Sequence, residues 1–552
     1  MKLLVVDCLT AGDGERVFTR DFIGSGPRYV AGFIEEISDY QIETSLMRGE
    51  DFLSLETDML KIFNIICISA MTMDLGIVKK IMNKWHFTHP SHHKTLSLIG
   101  GPISSDKNIL YKVNCDISIQ KEGEIALNML FKNELSNLIS NLNGNNLEWK
   151  QKFFDKIPGI LYLKQANVFH QNPIPPNLKN SWFQNTTGYP QKIQAYQDFK
   201  YARIFVECLR GCSNFRRTAL TLSSGDCCDD SQCNQCREDN FITQLSCPAN
   251  IPAGCGFCST INEFGAPKSR SINGIIEEIQ YLINIGACRI VLGGPGFLDF
   301  QRENLVEGKL INPTFPEPNY RALNELIDKL INIPEIHDRT VQVFIENIKA
   351  GLCSDRALDI IAKLPNAVFS IGCETGSNEF ANILGRPGMP QTTLEAVKRA
   401  LNRKIRVHVY FIHSLPGDNV FYANETLALM KKFGQIGVDK ITLYKYQELP
   451  GSPFHNIPRH YKQFDKKTLK VFNKIKKFVI HYNGQQKMKL LGKKVRVFLS
   501  EENTTHPKDA IGWILEGGPK VSVINSVHLV GTFQDITIIQ VLSDKLVLGK
   551  IN

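Results

Sequence analysis

Two cysteines two residues apart, in Cys255-Gly256-Phe257-Cys258, are the part of this chain best equipped for chemistry. Thiolates at that spacing are metal ligands, and a glycine and an aromatic between them suit a turn wrapped on an iron–sulfur cube. On such a turn the thiolates bind neighbouring irons, Gly256 permits the tight bend and Phe257 shields one face. Zinc ribbons and redox motifs share the spacing, so the flanks decide. A strand-like run at 202–208 feeds Arg210-Gly211-Cys212. Helical periodicity follows over 272–285, then an apolar strand ending in glycines over 289–294.

With these flanks the segment resembles the radical S-adenosylmethionine (SAM) superfamily. That resemblance implies a [4Fe–4S] cluster on three cysteines, with SAM chelating the open fourth iron. It also implies an external electron donor, whose electron splits SAM to a 5′-deoxyadenosyl radical. Cys255 and Cys258 match the second and third ligands. The first is open between two residues. Cys212 is favoured by strand register, in an Arg-Gly-Cys-Ser-Asn-Phe215 run similar to the RGCNRF of methylthiotransferases, and Cys247 is the alternative by local spacing. Gly293-Gly294-Pro295-Gly296 stands where the family's GGE turn meets the SAM amino group, with Pro295 replacing the acid. Bare glycines there let backbone approach a ligand. Glu374-Thr-Gly-Ser377 is similar to the ETGS that contacts the ribose and carboxylate side of SAM, and Leu415-Pro-Gly-Asp418 resembles LPGE. Arg270 matches an arginine ahead of the first helix, placed to pair with the SAM carboxylate; a helix-start arginine is the competing reading.

Nine of the fifteen cysteines fall between Cys208 and Cys258, which is the clustering of a metal site rather than of a disulfide scaffold. The other six are scattered singly, as small buried hydrophobes. The insertion over 213–254 also carries Cys227, Cys228, Cys233 and Cys236. Cys228, Cys233, Cys236 and whichever of Cys212 or Cys247 is not used by the SAM cluster make a candidate second site, for zinc or a second Fe–S cluster.

The elements that must position these residues divide the chain into successive segments. Strand and helix alternate over 1–140, which implies a doubly wound, Rossmann-like parallel sheet. Gly100-Gly101-Pro102 and Glu122-Gly123-Glu124 occupy the places of the GGP and GEGE of the cobalamin-binding-type domain that precedes many radical SAM enzymes. The resemblance implies cobalamin as a possible cofactor, but the Asp-x-His-x-x-Gly that gives cobalt an imidazole is absent: after Asp7 the chain reads Cys-Leu-Thr-Ala-Gly-Asp-Gly. Residues 141–200, rich in Asn, Pro and Gln, read as a linker. Six strand-like runs at 204–207, 289–292, 341–345, 368–371, 406–411 and 440–444 fall within the 201–450 segment. They are too few for a closed eight-stranded barrel. The resemblance implies an open (β/α)6 partial TIM barrel with its site at the C-terminal strand ends. From 491 to 552 short alternating strands separated by glycines read as a small β-barrel, in an α/β chain overall. Gly492-Lys-Lys, Gly512-Trp513, Leu529-Val-Gly531 and Leu548-Gly549-Lys550 give it the look of a TRAM domain, a nucleic-acid-binding module.

The formal charge of +9 is unevenly held. Residues 459–496 carry thirteen Lys/Arg against one acid, so the rest of the chain is slightly acidic. Within the basic 451–490 segment, Phe464, Leu469, Phe472, Ile475 and Val479 space as one face of a helix. Its lysine face beside a TRAM-like barrel makes RNA a candidate partner. No apolar run is long enough for a membrane span, and the N-terminus is a poor signal peptide, so a cytoplasmic enzyme is expected. The leading reading is a cobalamin-dependent radical SAM methyltransferase of unidentified substrate. Its rivals are an RNA methylthiotransferase-like sulfur-insertion enzyme and a catalytically silent, cluster-containing RNA-binding protein.

Overall fold

The computed structural model describes residues 1–14, 16, 21–144, 148–164, 168–222, 247, 251–455, 457–543 and 545–552. The chain forms two compact units, one built on Met1–Phe199 with Asn262–Gly265 and Leu449–Gly451, the other holding the remainder.

The first unit is organised by a sheet whose parallel strands run Glu43–Arg48, Lys2–Asp7, Ile65–Ser69, Leu96–Gly100 and Ile117–Ile119 across its width. That is a 2-1-3-4-5 order, in a doubly wound sheet of the kind the alternation implies. The central strands are apolar throughout because helices cover both faces, and Leu4, Val6, Ile66, Ile68 and Trp85 share one core. Glu43–Arg48 escapes sequence reading because it lies at the edge, and its pattern is mostly polar. Residues 141–200 are not the expected linker. Ile160–Lys164 and Val168–Gln171 extend the sheet as antiparallel strands, and Trp149 and Phe154 are buried.

In the second unit six parallel strands follow one another in chain order: Arg203–Glu207, Arg289–Gly293, Gln342–Ile348, Val368–Glu374, Arg406–His413 and Lys440–Lys445. Helices such as Ile272–Asn284 and Pro390–Asn402 connect them, giving the (β/α)6 half-barrel. Alternation sends Ile204, Val206, Ile371, Val407 and Val409 under the helices and turns Glu346, Ser370, His408, Tyr410 and Tyr444 to the concave side.

The basic segment is the helix Lys466–Met488, with Asp465 accepting from the Thr468 amide at 2.7 Å as its cap. Its buried stripe is Thr468, Val471, Phe472, Ile475, Val479 and Tyr482. Leu469, expected on that face, is 46% exposed because the 3.6-residue period carries it about 100° away from Thr468. The helix covers the sixth strand. The Asn483 amide donates to the Ile441 carbonyl at 2.8 Å and accepts from its N–H at 3.1 Å, satisfying backbone groups on the outer edge of that strand.

The C-terminal strands Lys494–Glu502, Ala510–Ile514, Lys520–Val523, Leu546–Ile551 and Phe533–Val541 close into a barrel in that order, with the third and last strands parallel. This is a five-stranded Greek-key barrel of the OB type. It sits at the N-terminal ends of the six parallel strands. Arg406 donates to the Glu516 carbonyl at 2.9 Å, Asn366 donates to the Glu516 carboxylate at 2.7 Å, and Tyr201 stacks on Phe498 at 5.1 Å.

Candidate cluster and SAM site

The site begins where the first strand of the half-barrel ends. Arg210 makes a two-pronged bond to Glu207, at 2.9 and 3.0 Å, and the residue pair Leu209–Arg210 zips antiparallel to Lys268–Ser269. Gly211 then adopts φ +85°, a conformation that L side chains rarely take, and turns the chain so that Cys212 leaves the strand. Asn214 supplies the link to the second cysteine segment. Its backbone N–H points at Cys212 Sγ (3.5 Å), and its side-chain Nδ2 donates to Cys255 Sγ (3.2 Å) and to the Gly385 carbonyl (2.9 Å). Cys258 completes the group, with its thiol 3.2 Å from Thr260 Oγ1.

Cys212, Cys255 and Cys258 are close enough that each thiolate would oppose its neighbours. Burial pushes the Cys255 thiol up to about 11, Cys258 and Cys212 push the same way, and Arg386 pulls against them. Burial, and then Cys212, likewise raise Cys258. Two thiols held above their usual range, Cys255 and Cys258, call for positive charge beside them. Among the described residues no group of three such side chains closes on a single ion. A cluster takes each thiolate on a different iron and spaces them more widely. The donor set therefore fits a cube on three cysteines: all three are only partly exposed, N–H groups already point at two sulfurs, and a guanidinium lies alongside.

Gly256 serves packing more than bending. Its φ is ordinary, but an added Cβ would lie 2.2 Å from the Phe454 ring, which is wholly buried. Phe257 packs on the same apolar cluster, with Leu220, Phe380, Leu384 and Leu415.

The glycine turn lies at the end of the second strand, where the Cys208 N–H donates to the Gly293 carbonyl at 2.9 Å. A Cβ on Gly294 would meet Leu209 at 2.4 Å, and one on Gly296 would meet the Lys349 stem at 3.0 Å. Glu374 ends the fourth strand with φ +67° and faces Arg386 at 3.6 Å. Arg386, anchored on the Gly372 carbonyl at 2.6 Å, thus connects Glu374 to Cys255. Ser377 is buried and caps the next helix by accepting from the Phe380 N–H, so its hydroxyl is occupied locally. Arg270 is not brought to this group. Its guanidinium is buried against Glu278 at 2.5 Å and against the Glu207 and Gly274 carbonyls. Cys247 is partly exposed, and Cys227, Cys228, Cys233 and Cys236, the candidate second site, lie outside the described residues.

Sequence reasoning missed Asn214, Arg386, Lys349 and Phe454. Asn214 stands two residues after Cys212 and was within reach; the others reach the site only through the fold.

The family model described as the radical SAM superfamily matches residues 243–430. The chain belongs to the radical SAM superfamily. It also shares a family with the uncharacterized protein MJ1620 of Methanocaldococcus jannaschii, to which it is 35% identical over 98% of this chain and 96% of that one. The uncharacterized protein MK0932 of Methanopyrus kandleri is 32% identical over 100% and 96%. A tRNA-2-methylthio-N(6)-dimethylallyladenosine synthase of Wolbachia pipientis is 24% identical over 47% and 55%. Among solved structures, the radical SAM methyltransferase TsrM from Kitasatospora setae, with tryptophan substrate and a SAM analogue bound, matches with a TM-score of 0.56 at 11% identity, over 82% of this chain and 75% of that one. The cobalamin-dependent SAM radical enzyme OxsB matches at 0.54 and 12%, over 86% and 56%. These likenesses establish the fold: a Rossmann-like sheet ahead of a radical SAM half-barrel.

In the Rossmann-like unit, the fit to cobalamin is one-sided. Gly100 faces open space, and Gly101, at φ +86°, passes over the Ala70 carbonyl, leaving a bare strand edge. The loop after Asp7 carries no histidine to offer cobalt. Cys8 is wholly buried, with burial and Asp7 raising its thiol well above the usual range. The loop itself is pinned by Asp74, which accepts from the Thr10, Gly12 and Met71 amides. No helix among the described residues is long and apolar enough to cross a membrane.

Proposed function

We propose that this radical SAM protein is a methyltransferase-type enzyme whose [4Fe–4S] cluster is held by Cys212, Cys255 and Cys258. The observation that carries the reading is the meeting of these three cysteines at the C-terminal strand ends, where Gly293–Gly296 and Glu374 also lie. When bound, the cluster and SAM would supply a carbon-centred radical, and cobalamin a transferable methyl group. The chain's own residues hold and orient. Asn214 fixes the distance between the two cysteine segments, and Arg386 sets a positive charge beside Cys255. The glycine turn offers bare backbone to the SAM amino group, and Glu374 is placed for its polar side. Gly100 and Gly101 would take a flat ring system, with cobalt receiving no histidine from the loop after Asp7.

The substrate belongs in the concave hollow of the half-barrel. Glu346 and Tyr444 face it, with Glu346 near the Arg203 charge and Tyr444 51% exposed. A carboxylate and a phenol lining a recess suit a polar ligand. The OB-type barrel covers the opposite, N-terminal strand ends, so entry is from the cluster side.

A second reading, sulfur insertion into RNA, is favoured by the likeness to the Wolbachia enzyme. Two features weigh against it. Cys8 and Cys67 are packed into the interior of the first unit, at 0% and 5% exposure, whereas Cys212, Cys255 and Cys258 are partly exposed, so the former pair is poorly placed to hold a second cluster. Phe498 and Trp513, the aromatics an OB-type barrel would offer to bases, are stacked on Tyr201. Metal analysis of anaerobically purified protein separates the readings. Cobalt beside about four irons supports the methyltransferase type, and more than one cluster without cobalt supports sulfur insertion. Cys212→Ala should abolish iron retention, whereas Cys247→Ala should keep it. The reverse result would reassign the first ligand.

A further inference from the structure

Behind Cys212 lies a charge cluster that the reading above does not use. Asp299 and Arg302 are completely buried and paired with each other. Lys349, from the residue after the third barrel strand, reaches the same Asp299 carboxylate and donates to Ser213 Oγ at 2.6 Å. Ser213 in turn donates to Asp299 at 2.9 Å. Ser213 is the chain neighbour of Cys212, so the network clamps the loop that carries this cysteine. Gly296 makes room for it. A Cβ there would lie 3.0 Å from the lysine stem, so the last glycine of the SAM turn is also the passage through which Lys349 reaches inward.

The charges do not cancel. Two cations share the Asp299 carboxylate, and the neighbouring Glu303 carboxyl is pushed up to about 7 by burial, so at neutral pH it only partly offsets the second cation and the group stays net positive. Burial works against the Lys349 charge, and the Asp299 carboxylate in contact with it holds the charge in place. An uncompensated buried charge is costly unless an anion arrives nearby. A cube on three thiolates is such an anion, and reduction by one electron makes it more negative.

Resting on the assignment of Cys212 as a ligand, we propose that Lys349 is a positioning residue: it clamps the Cys212 loop through Ser213 and Asp299, and its charge favours the reduced state of the bound cluster. The electron comes from a one-electron reductant, and no bond is made or broken in that step. A nearby cation stabilises the added negative charge by Coulomb attraction, and net charge around a cluster is one of the determinants of its potential.

The test is a potentiometric titration of the anaerobically reconstituted full chain, followed by electron paramagnetic resonance of the reduced cluster. Lys349→Met should lower the reduced-to-oxidised ratio at fixed potential by about tenfold, a shift of about 59 mV for a one-electron couple. Lys349→Arg, which keeps the cation, should leave the ratio close to that of the wild type. Lys349→Gln keeps a donor toward Ser213 and replaces Lys349→Met if that variant does not fold. A shift in Lys349→Met that Lys349→Arg does not share supports the proposal, since general loosening of the fold would move both variants alike. An unchanged midpoint in Lys349→Met, or equal shifts in both variants, overturns it. A wild-type chain that binds no iron, or Cys212→Ala protein that keeps its cluster, would instead remove the ligand assignment beneath it.

Discussion

Replacing Gly256 with alanine puts a methyl group into a ring. The added Cβ would lie 2.2, 2.3 and 2.6 Å from three carbons of Phe454, where carbon atoms ordinarily rest about 3.5–4.0 Å apart. The ring would have to retreat by roughly 1.5 Å. It has nowhere to go, because it is fully buried among Leu220, Phe380, Leu384 and Leu415. Overpacking of this kind costs about 1–3 kcal/mol. The chain has two compact units, so a single melting temperature is a poor measure. Local opening is better read by hydrogen exchange. The Gly256 N–H donates to the Leu384 carbonyl at 2.9 Å, and the Phe454 N–H donates to the Gly256 carbonyl at 2.7 Å. Both amides should exchange roughly 5- to 150-fold faster in Gly256→Ala, with iron retained less well. Phe454→Ala alone should cost about 3–5 kcal/mol by leaving a cavity. Gly256→Ala added to Phe454→Ala should cost almost nothing further, because the methyl then has space. Additive effects in the double variant, or unchanged exchange in Gly256→Ala, would refute the packing argument.

Arg270→Met should remove the buried guanidinium paired with Glu278 and destabilise the second unit by about 3–5 kcal/mol, and adding Glu278→Met should restore most of this. SAM affinity measured in the refolded double variant should match the wild type; a persistent loss would return Arg270 to the SAM site. Burial pushes the Asp418 carboxyl up to about 7. Its folded value lies above the unfolded one, so its burial is free of cost below about pH 4 and is increasingly destabilising as pH rises toward 7. Asp418→Asn should therefore stabilise the protein at pH 8, by at most about 4 kcal/mol, and have no effect near pH 4 in denaturant titrations. Asn483→Leu should leave the Ile441 N–H and carbonyl unpaired, at about 1–3 kcal/mol. Faster exchange of the Ile441 amide without loss of iron would be the expected signature.

The residues that were legible in the sequence are those whose local chemistry is self-contained. Cys255 and Cys258 declare themselves by spacing, and the barrel strands by β-branched and aromatic runs, apolar throughout in Arg289–Gly293 and alternating in Arg406–His413. The parallel, doubly wound character of the first unit follows from strand–helix alternation, but its 2-1-3-4-5 order does not. Edge elements were not legible. Glu43–Arg48 and the two strands after residue 159 owe their existence to pairing with a sheet already formed, and their own patterns are weak. Residue roles divided in the same way. Arg270 and Gly256 were visible as types, but the partner decided each role: Glu278 occupies the arginine, and Phe454 demands the glycine. Arg386, Lys349 and Asp299 carry no local signature at all. They act through charge across tens to more than a hundred positions of chain, and only folding makes such distances short. Composition and spacing could nominate the thiols; the tertiary structure alone determined which charges surround them.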